Sequence, residues 1–294
     1  MKTKILKFSI IVAILGVALW SCNKEDIAPS ENPTSNNSTL FLNLENYNNE
    51  FLSTHNNPSR GFWSSLGYFA QVASADLIGA GTTIWATSEI IAATGITTGP
   101  IGAGIATGVA GVIGAGGASY AASGNPPSDN GGNYNENQGL HLQLPISFSI
   151  ENDMGGIHNS YLKSVIYGNT SQNDWISTNF PTERSNIQNI LSNSEVSTII
   201  TTIENKSLDY KNNGYDYETL ISDYETLNYL SSNVAQVLQS FMSVYSQSEN
   251  FDDIKNTVDF YTLEILNSSL TTLEKKSLFG SFSVALKSPM FWNS

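Results

Sequence analysis

Between Ile90 and Ser128 the chain carries no charged side chain, and the twenty-two residues from Ile101 to Ala122 hold seven Gly and seven Ala. No other feature restricts the fold as much. Each Gly costs a helix about 1 kcal/mol relative to Ala, so such a segment becomes a helix only where close approach to a neighbour compensates. The spacing points to such a neighbour. Gly95 and Gly99 are four apart, as are Gly104 and Gly108, and Gly111 follows on the same face. Ile101, Ile105, Val109, Val112 and Ile113 form an adjoining apolar arc, while Gly116 and Gly117 fall off the glycine arc. A smooth helix face lets a second helix come close, the small-xxx-small logic of membrane helices. Phe62 to Ala93 supplies the partner, with only Asp76 and Glu89 charged, and "GITTGP" at 95–100 supplies the turn. Pro100 suits the first turn of the second helix. Residues 58–124 therefore predict a helical hairpin with a seam along Gly95, Gly99, Gly104, Gly108 and Gly111. Three settings fit it: packed under the rest of the chain or a partner, inserted in a bilayer, or left as a Gly/Ala linker.

The start of the chain bears on location. Lys2, Lys4 and Lys7 precede an apolar run from Phe8 to Trp20, too short for a confident membrane span and placed like the core of a secretory signal. Residues 1–21 thus read as a signal peptide, with Cys22, the only cysteine, at its end. "LWSC" resembles the bacterial lipobox, whose cysteine takes a diacylglycerol thioether and becomes the new N-terminus. Several acyl chains anchor stably where one holds only marginally. Lys24, Glu25 and Asp26 resemble the surface-export signal of Bacteroidetes lipoproteins. The expected location is the outer membrane, lipid-anchored through Cys22 and facing the cell surface. Residues 22–57 then comprise a tether rich in Asn, Ser, Pro and Glu, followed by a stretch compatible with a short helix or irregular chain.

Residues 125–139 offer turns and no apolar face, and read as a linker. Residues 140–294 read as a helical body. "LHLQLPISFSI" alternates like a short extended lead-in, interrupted by Pro145. No Gly or Pro occurs from Thr182 to Asn213 or from Tyr215 to Phe279. "DYETL" recurs at 216–220 and 223–227, and Leu220, Leu227, Val234 and Phe241 continue that heptad, with Leu230, Val237 and Val244 beside it. This fits one long helix or two broken near Ser231–Ser232, serving either a bundle core or a coiled-coil partner. Thr271 and Glu274 match a capping box before a last helix. The fold class expected is all-α: an anchor and tether, a Gly/Ala-rich helical hairpin and a C-terminal helical bundle.

Two further stretches carry a resemblance. "GGIHNSYLKSVI", with Gly156, His158, Asn159 and Leu162, is similar to a G-x-x-H-N-x-x-L helix of uncharacterised Bacteroidetes lipoproteins. "LEKKSLFGSFSVALKSPMFW", with Glu274, Lys275, Ala285, Ser288 and Trp292, is similar to their C-terminal pattern, and those proteins commonly carry a Gly/Ala-rich hairpin upstream. The resemblance implies location and layout and supplies no activity. The glycine seam itself also resembles those of some bacteriocins and of plain structural proteins.

Composition and motifs exclude several functions. From Cys22 onward the chain has 26 acidic residues and 13 − 3 = 10 basic ones, a formal charge of −16. Such a chain repels phosphate backbones, so nucleic acid is not an expected partner. His55, His141 and His158 have no second His or carboxylate at metal-ligand spacing, and there is no nucleophile elbow or phosphate loop. No catalytic, cofactor or metal residue is expected. His158 and Asn159 read as a polar pair that fixes a helix in place, ahead of a ligand-binding pair. Two functions stay open: a lipoprotein whose body binds a protein partner or self-assembles, and a membrane-active effector that inserts its hairpin into a target bilayer.

Overall fold

The computed structural model describes residues 37–55, 68–95, 99–123 and 140–292, the backbone alone at 68–70 and 99–101. Cys22, Lys24, Glu25, Asp26, the tether before Asn37 and the 125–139 linker lie outside the described residues. Among those described, the chain is all-α: eleven α-helices and no strand. They are α1 (Asn37–Thr54), α2 (Tyr68–Thr94), α3 (Gly99–Ser123), α4 (Ser149–Tyr161), α5 (Gln172–Asn179), α6 (Arg184–Leu191), α7 (Ser194–Asn212), α8 (Tyr217–Thr226), α9 (Ser232–Tyr245), α10 (Phe251–Asn267) and α11 (Thr272–Trp292). A 3₁₀ turn, Ile146–Phe148, leads into α4, and a π-helical turn, Leu162–Ile166, ends it. The expected extended lead-in is irregular chain ahead of the 3₁₀ turn.

Helices α2 and α3 are the hairpin, and they stand at the centre of the bundle. Every residue from Val72 to Ile84 and from Ala106 to Ser119 is buried. The cover comes from α4, α6, α7 and α11. By length and composition Gly102–Ser123 is apolar enough to cross a membrane, yet 83% of its apolar window is buried inside the protein. Small residues explain how one helix can be enclosed so fully.

The glycines are not confined to one seam. A Cβ on Gly111 would stand 2.7 Å from Ile84 of α2 and 3.0 Å from Met154 of α4, and one on Gly114 would collide with Thr83 of α2. On the α2 side, Gly79 meets Ala118 at 2.9 Å. Gly108 instead faces Ile150 of α4 at 2.7 Å, Gly116 faces the Tyr161 ring at 2.8 Å, and Gly117 faces Glu204 of α7 at 2.6 Å. The expected arc therefore needs correcting. Gly104 meets only the Lys276 ammonium, at 3.6 Å, and Gly95 touches nothing within 4 Å. Gly95 has φ +64° and ends α2, its N–H bonded to the Ile91 carbonyl at 3.1 Å, a left-handed cap that an L side chain adopts reluctantly. Gly99 begins α3. An isolated hairpin needs one smooth face. A central helix needs relief wherever a neighbour crosses it, which is why Gly116 and Gly117, off the arc, are as closely packed as Gly108 and Gly111.

The outer helices follow amphipathic logic. Both DYETL copies belong to α8 and its caps, and the heptad continues in α9, with Asn228 at φ +57° between the two helices and the Ser231 hydroxyl capping α9 through the Val234 N–H. Leu220, Leu230, Val234, Val237, Phe241 and Val244 are buried, whereas Leu227 is 40% exposed. The heptad serves the bundle core and breaks at Leu227. The Thr271–Glu274 capping box forms: the Thr271 N–H bonds Glu274 Oε2 at 2.7 Å and the Glu274 N–H bonds the Thr271 hydroxyl at 3.2 Å. Helix α1 lies antiparallel to α10, through Ser269–Asn37 (2.7 Å), Asn43–Glu264 (2.7 Å) and Tyr47–Thr257 (3.0 Å).

Candidate functional site

The interior holds a concentration of ionisable and hydroxyl groups, built on the single acid in the N-terminal two-thirds of α2. Asp76 is fully buried. Its carboxylate accepts from the Ser119 hydroxyl of α3, the Ser288 hydroxyl of α11 and, at 3.0 Å, the Trp292 indole N–H of α11. His158 of α4, also at zero exposure, points Nε2 at Asp76 Oδ2 (3.8 Å) and Ser119 Oγ (3.4 Å). Its Nδ1 lies 3.2 Å from Asn159 Oδ1, and Asn159 Nδ2 donates to the Lys287 carbonyl of α11 at 3.0 Å. That second bond fixes the amide, so Asn159 Oδ1 accepts from the ring's Nδ1–H. Four helices thus meet at one acid, one imidazole and two hydroxyls.

Helix α11 is shaped to close this cluster. Pro289 lies inside it and has no N–H to offer the Ala285 carbonyl four residues back. The Tyr245 hydroxyl of α9 donates to that carbonyl at 3.0 Å. On the other side α4 approaches so closely that a Cβ on Gly155 would run into the Ser283 carbonyl, while the Gly155 N–H bonds the Ser283 hydroxyl at 2.9 Å. The second glycine of the pair, Gly156, faces open space. The C-terminal pattern residues also have tertiary partners. Glu274 Oε1 accepts from Ser231 and Asn233 of α9, and the Lys275 ammonium caps the Leu266 and Ser268 carbonyls at the end of α10.

Burial sets the charge state. It pushes the Asp76 carboxyl up, against the opposing pull of His158 and the three donors, and pushes His158 down. Ser, His and Asp are the residue types of a nucleophilic triad, but the wiring differs. In a relay the acid orients the ring nitrogen away from the nucleophile. Here Ser119 and Asp76 share the Nε2 side, and Nδ1 belongs to Asn159. With zero exposure for Ser119, Asp76 and His158, no substrate reaches them in this fold. What the arrangement does is join α2, α3, α4 and α11.

A second buried acid stands nearby. Glu151, in the first turn of α4, is 1% exposed, and its Oε2 has no hydrogen-bond partner among the described residues. Burial raises its pKa to about 7, with its own N–H and the Lys276 charge opposing.

The sequence-based site residues separate cleanly. His158 and Asn159 are adjacent in the cluster, the first facing Asp76 and Ser119 and the second bonded to the Lys287 carbonyl of α11. His55 stacks on Phe51 at 3.9 Å and faces Asp253 at 3.5 Å, and His141 pairs with Asp153 at 3.0 Å on the surface. Among the described residues no three His, Cys, Asp or Glu side chains converge on a metal position. Sequence reasoning noticed Asp76 only as a rare charge, and missed Ser119 and Glu151. The available signal was a lone acid in a helix otherwise fit for a core, since such a charge needs partners.

Open cavities lie elsewhere. One of about 350 Å³ sits between α2 and the start of α7, lined by Ile90, Glu89, Glu195, Thr198 and Tyr229. Another of about 260 Å³ sits between the 140–143 segment and α10. No protein-family model, curated protein or solved structure matches the chain.

Proposed function

We propose that the chain is an outer-membrane lipoprotein of the Bacteroidetes type, anchored through Cys22, displayed on the cell surface, with a non-enzymatic helical body that binds a partner or assembles. The observation that carries the non-enzymatic part is the sealing of the Asp76–His158–Ser119 cluster, whose hydrogen-bonding groups hold helices together. The lipobox-like "LWSC" and the Lys24-Glu25-Asp26 run support the location. Cys22→Ala tests the anchor: acyl labelling should vanish and the precursor should stay uncleaved, and continued labelling would end the proposal. Replacing Lys24, Glu25 and Asp26 by Ala should lower protease accessibility on intact cells at constant total lipoprotein.

One observation favours a second reading, a membrane-active effector. Helix α3 has the length and apolarity of a membrane span. Insertion of the hairpin would require withdrawing α3 from α4, α6 and α7. Dye release from liposomes by the unlipidated mature protein separates the two. Release that disappears when residues 58–124 are removed supports the effector, and intact vesicles support the binding module.

A further inference from the structure

The packing order reveals which end of the bundle holds Asn37. Asn37, where the chain from Cys22 joins the body, is bonded to Ser269 in the α10–α11 loop. Helix α11 starts there and runs antiparallel to α2. Asp76 meets Ser288 and Trp292, Gly81 meets Ser277, and Gly280 meets Ile84. Continuing that register, the α2 terminus at Thr94–Gly95 lies at the same end as Thr272. The Ser231 and Asn233 bonds to Glu274 bring the α8–α9 loop, with exposed Leu227, to this end too. Asn37, the C-terminal end of α2 and an exposed leucine share one end of the bundle.

That end suits a lipid surface. After Glu89 the hairpin is free of charge, and its last turns expose Ala92 and Ala93, with Ile90 and Ile91 partly exposed. Lys276 beside Gly104 is a partly exposed cation nearby, and the exposed acids at this end are Glu89 and Glu195, which line one groove with Ile90 and Tyr229. The opposite end carries exposed Glu249, Asp252 and Asp174, which anionic headgroups would repel. The chain from Cys22 to Asn37 is 37 − 22 = 15 residues, and even fully extended it spans at most roughly 50 Å.

We infer that the Asn37 end of the folded bundle rests on the bilayer that holds the Cys22 lipid, with Ile90, Ile91, Ala92, Ala93 and Leu227 at the headgroup boundary and the acidic end facing away. This inference rests on the anchored-lipoprotein reading. It differs from insertion, because α3 stays inside the bundle and only the last turns of α2 and Leu227 meet lipid.

The test uses the acylated full chain purified from cells and placed in vesicles of phosphatidylethanolamine and phosphatidylglycerol. Acylation consumes the only native thiol, so a cysteine introduced by Ala93→Cys, Leu227→Cys or Asp252→Cys takes a fluorescent label alone. Quenchers attached to the lipid acyl chains should extinguish the label at 93 and 227 and leave that at 252 bright. Mass spectrometry of the same samples reports the state of Cys22. An acylated Cys22 with all three labels equally bright overturns this inference and leaves the anchor standing. A Cys22 without acyl chains overturns both. Equal quenching at all three sites also overturns it, since the bundle would then lie flat or be unfolded in the lipid.

Discussion

Helix α10 begins with Asn250, whose side chain bonds the Asp253 N–H while Asp253 returns the bond, and it then buries Ile254, Val258, Tyr261 and Ile265 along one face. Helix α3 begins with Gly-Pro and is then buried on every side for fourteen residues. The first helix carries its own start signal and its own inside and outside. The second has neither, and its glycines disfavour it in water. Central helices here are specified by what surrounds them, and outer helices by their own sequence. The two kinds should therefore fail differently when altered.

The largest break should come from the cluster that joins the centre to its cover. Asp76→Ala strands the Trp292 N–H and two hydroxyls in the interior, which should cost about 3–5 kcal/mol. Chemical denaturation measures it, and a loss below about 1 kcal/mol would mean that the cluster is not a structural joint. Next comes Glu151. Its folded pKa of about 7 lies above the ordinary 4.5, so the fold binds the extra proton between those values. Its neutral form is therefore favoured at low pH, and stability declines as pH rises through 7. Glu151→Gln should raise stability on the order of 3 kcal/mol at pH 9 and change little at pH 4, as melts across pH will reveal. His158 works in the opposite sense: lowered by burial, it favours the fold above its ordinary 6.5 and opposes it as pH falls below that.

Glycine substitutions sharpen the comparison at smaller scale. Gly155→Ala and Gly114→Ala put a methyl group against the Ser283 carbonyl and Thr83 and should cost about 1–3 kcal/mol. Gly156→Ala, next in sequence and open, should gain up to about 1 kcal/mol from helix propensity. Paired thermal melts decide it, and equal effects at 155 and 156 would show that α4 does not sit closely on α11. The smallest change is local. Asn250→Ala should cost about 1 kcal/mol through the lost cap, visible as a small shift in denaturation midpoint with an unchanged slope.

This division also marks how much was legible in the sequence. The all-α class, the pairing of α2 with α3 and the Thr271 capping box are local signals and were readable, while the break near Ser231 was one of two readings the sequence left open. The bearing of each glycine was not. Spacing places Gly104, Gly108 and Gly111 on an arc, but only the positions of α4, α7 and α11 reveal that Gly104 is loosely packed and Gly117 tightly. The candidate cluster was half visible. His158 and Asn159 stood out as a pair, whereas Asp76, Ser119 and Ser288 lie far apart in sequence and become a group only after the chain has folded.

The reach of Asp76 also sets a timetable. Its bonds span 43 residues to Ser119, 212 to Ser288 and 216 to Trp292. Contacts so distant along the chain form late, because the intervening loop must close before they contribute. During synthesis the apolar hairpin emerges long before α11, and until then its lone acid lacks the last two donors. The nascent chain must therefore carry a sticky, unfinished middle, exposed to aggregation or to whatever shields it. The bundle can seal its interior only when its final turn, at Trp292, has been made.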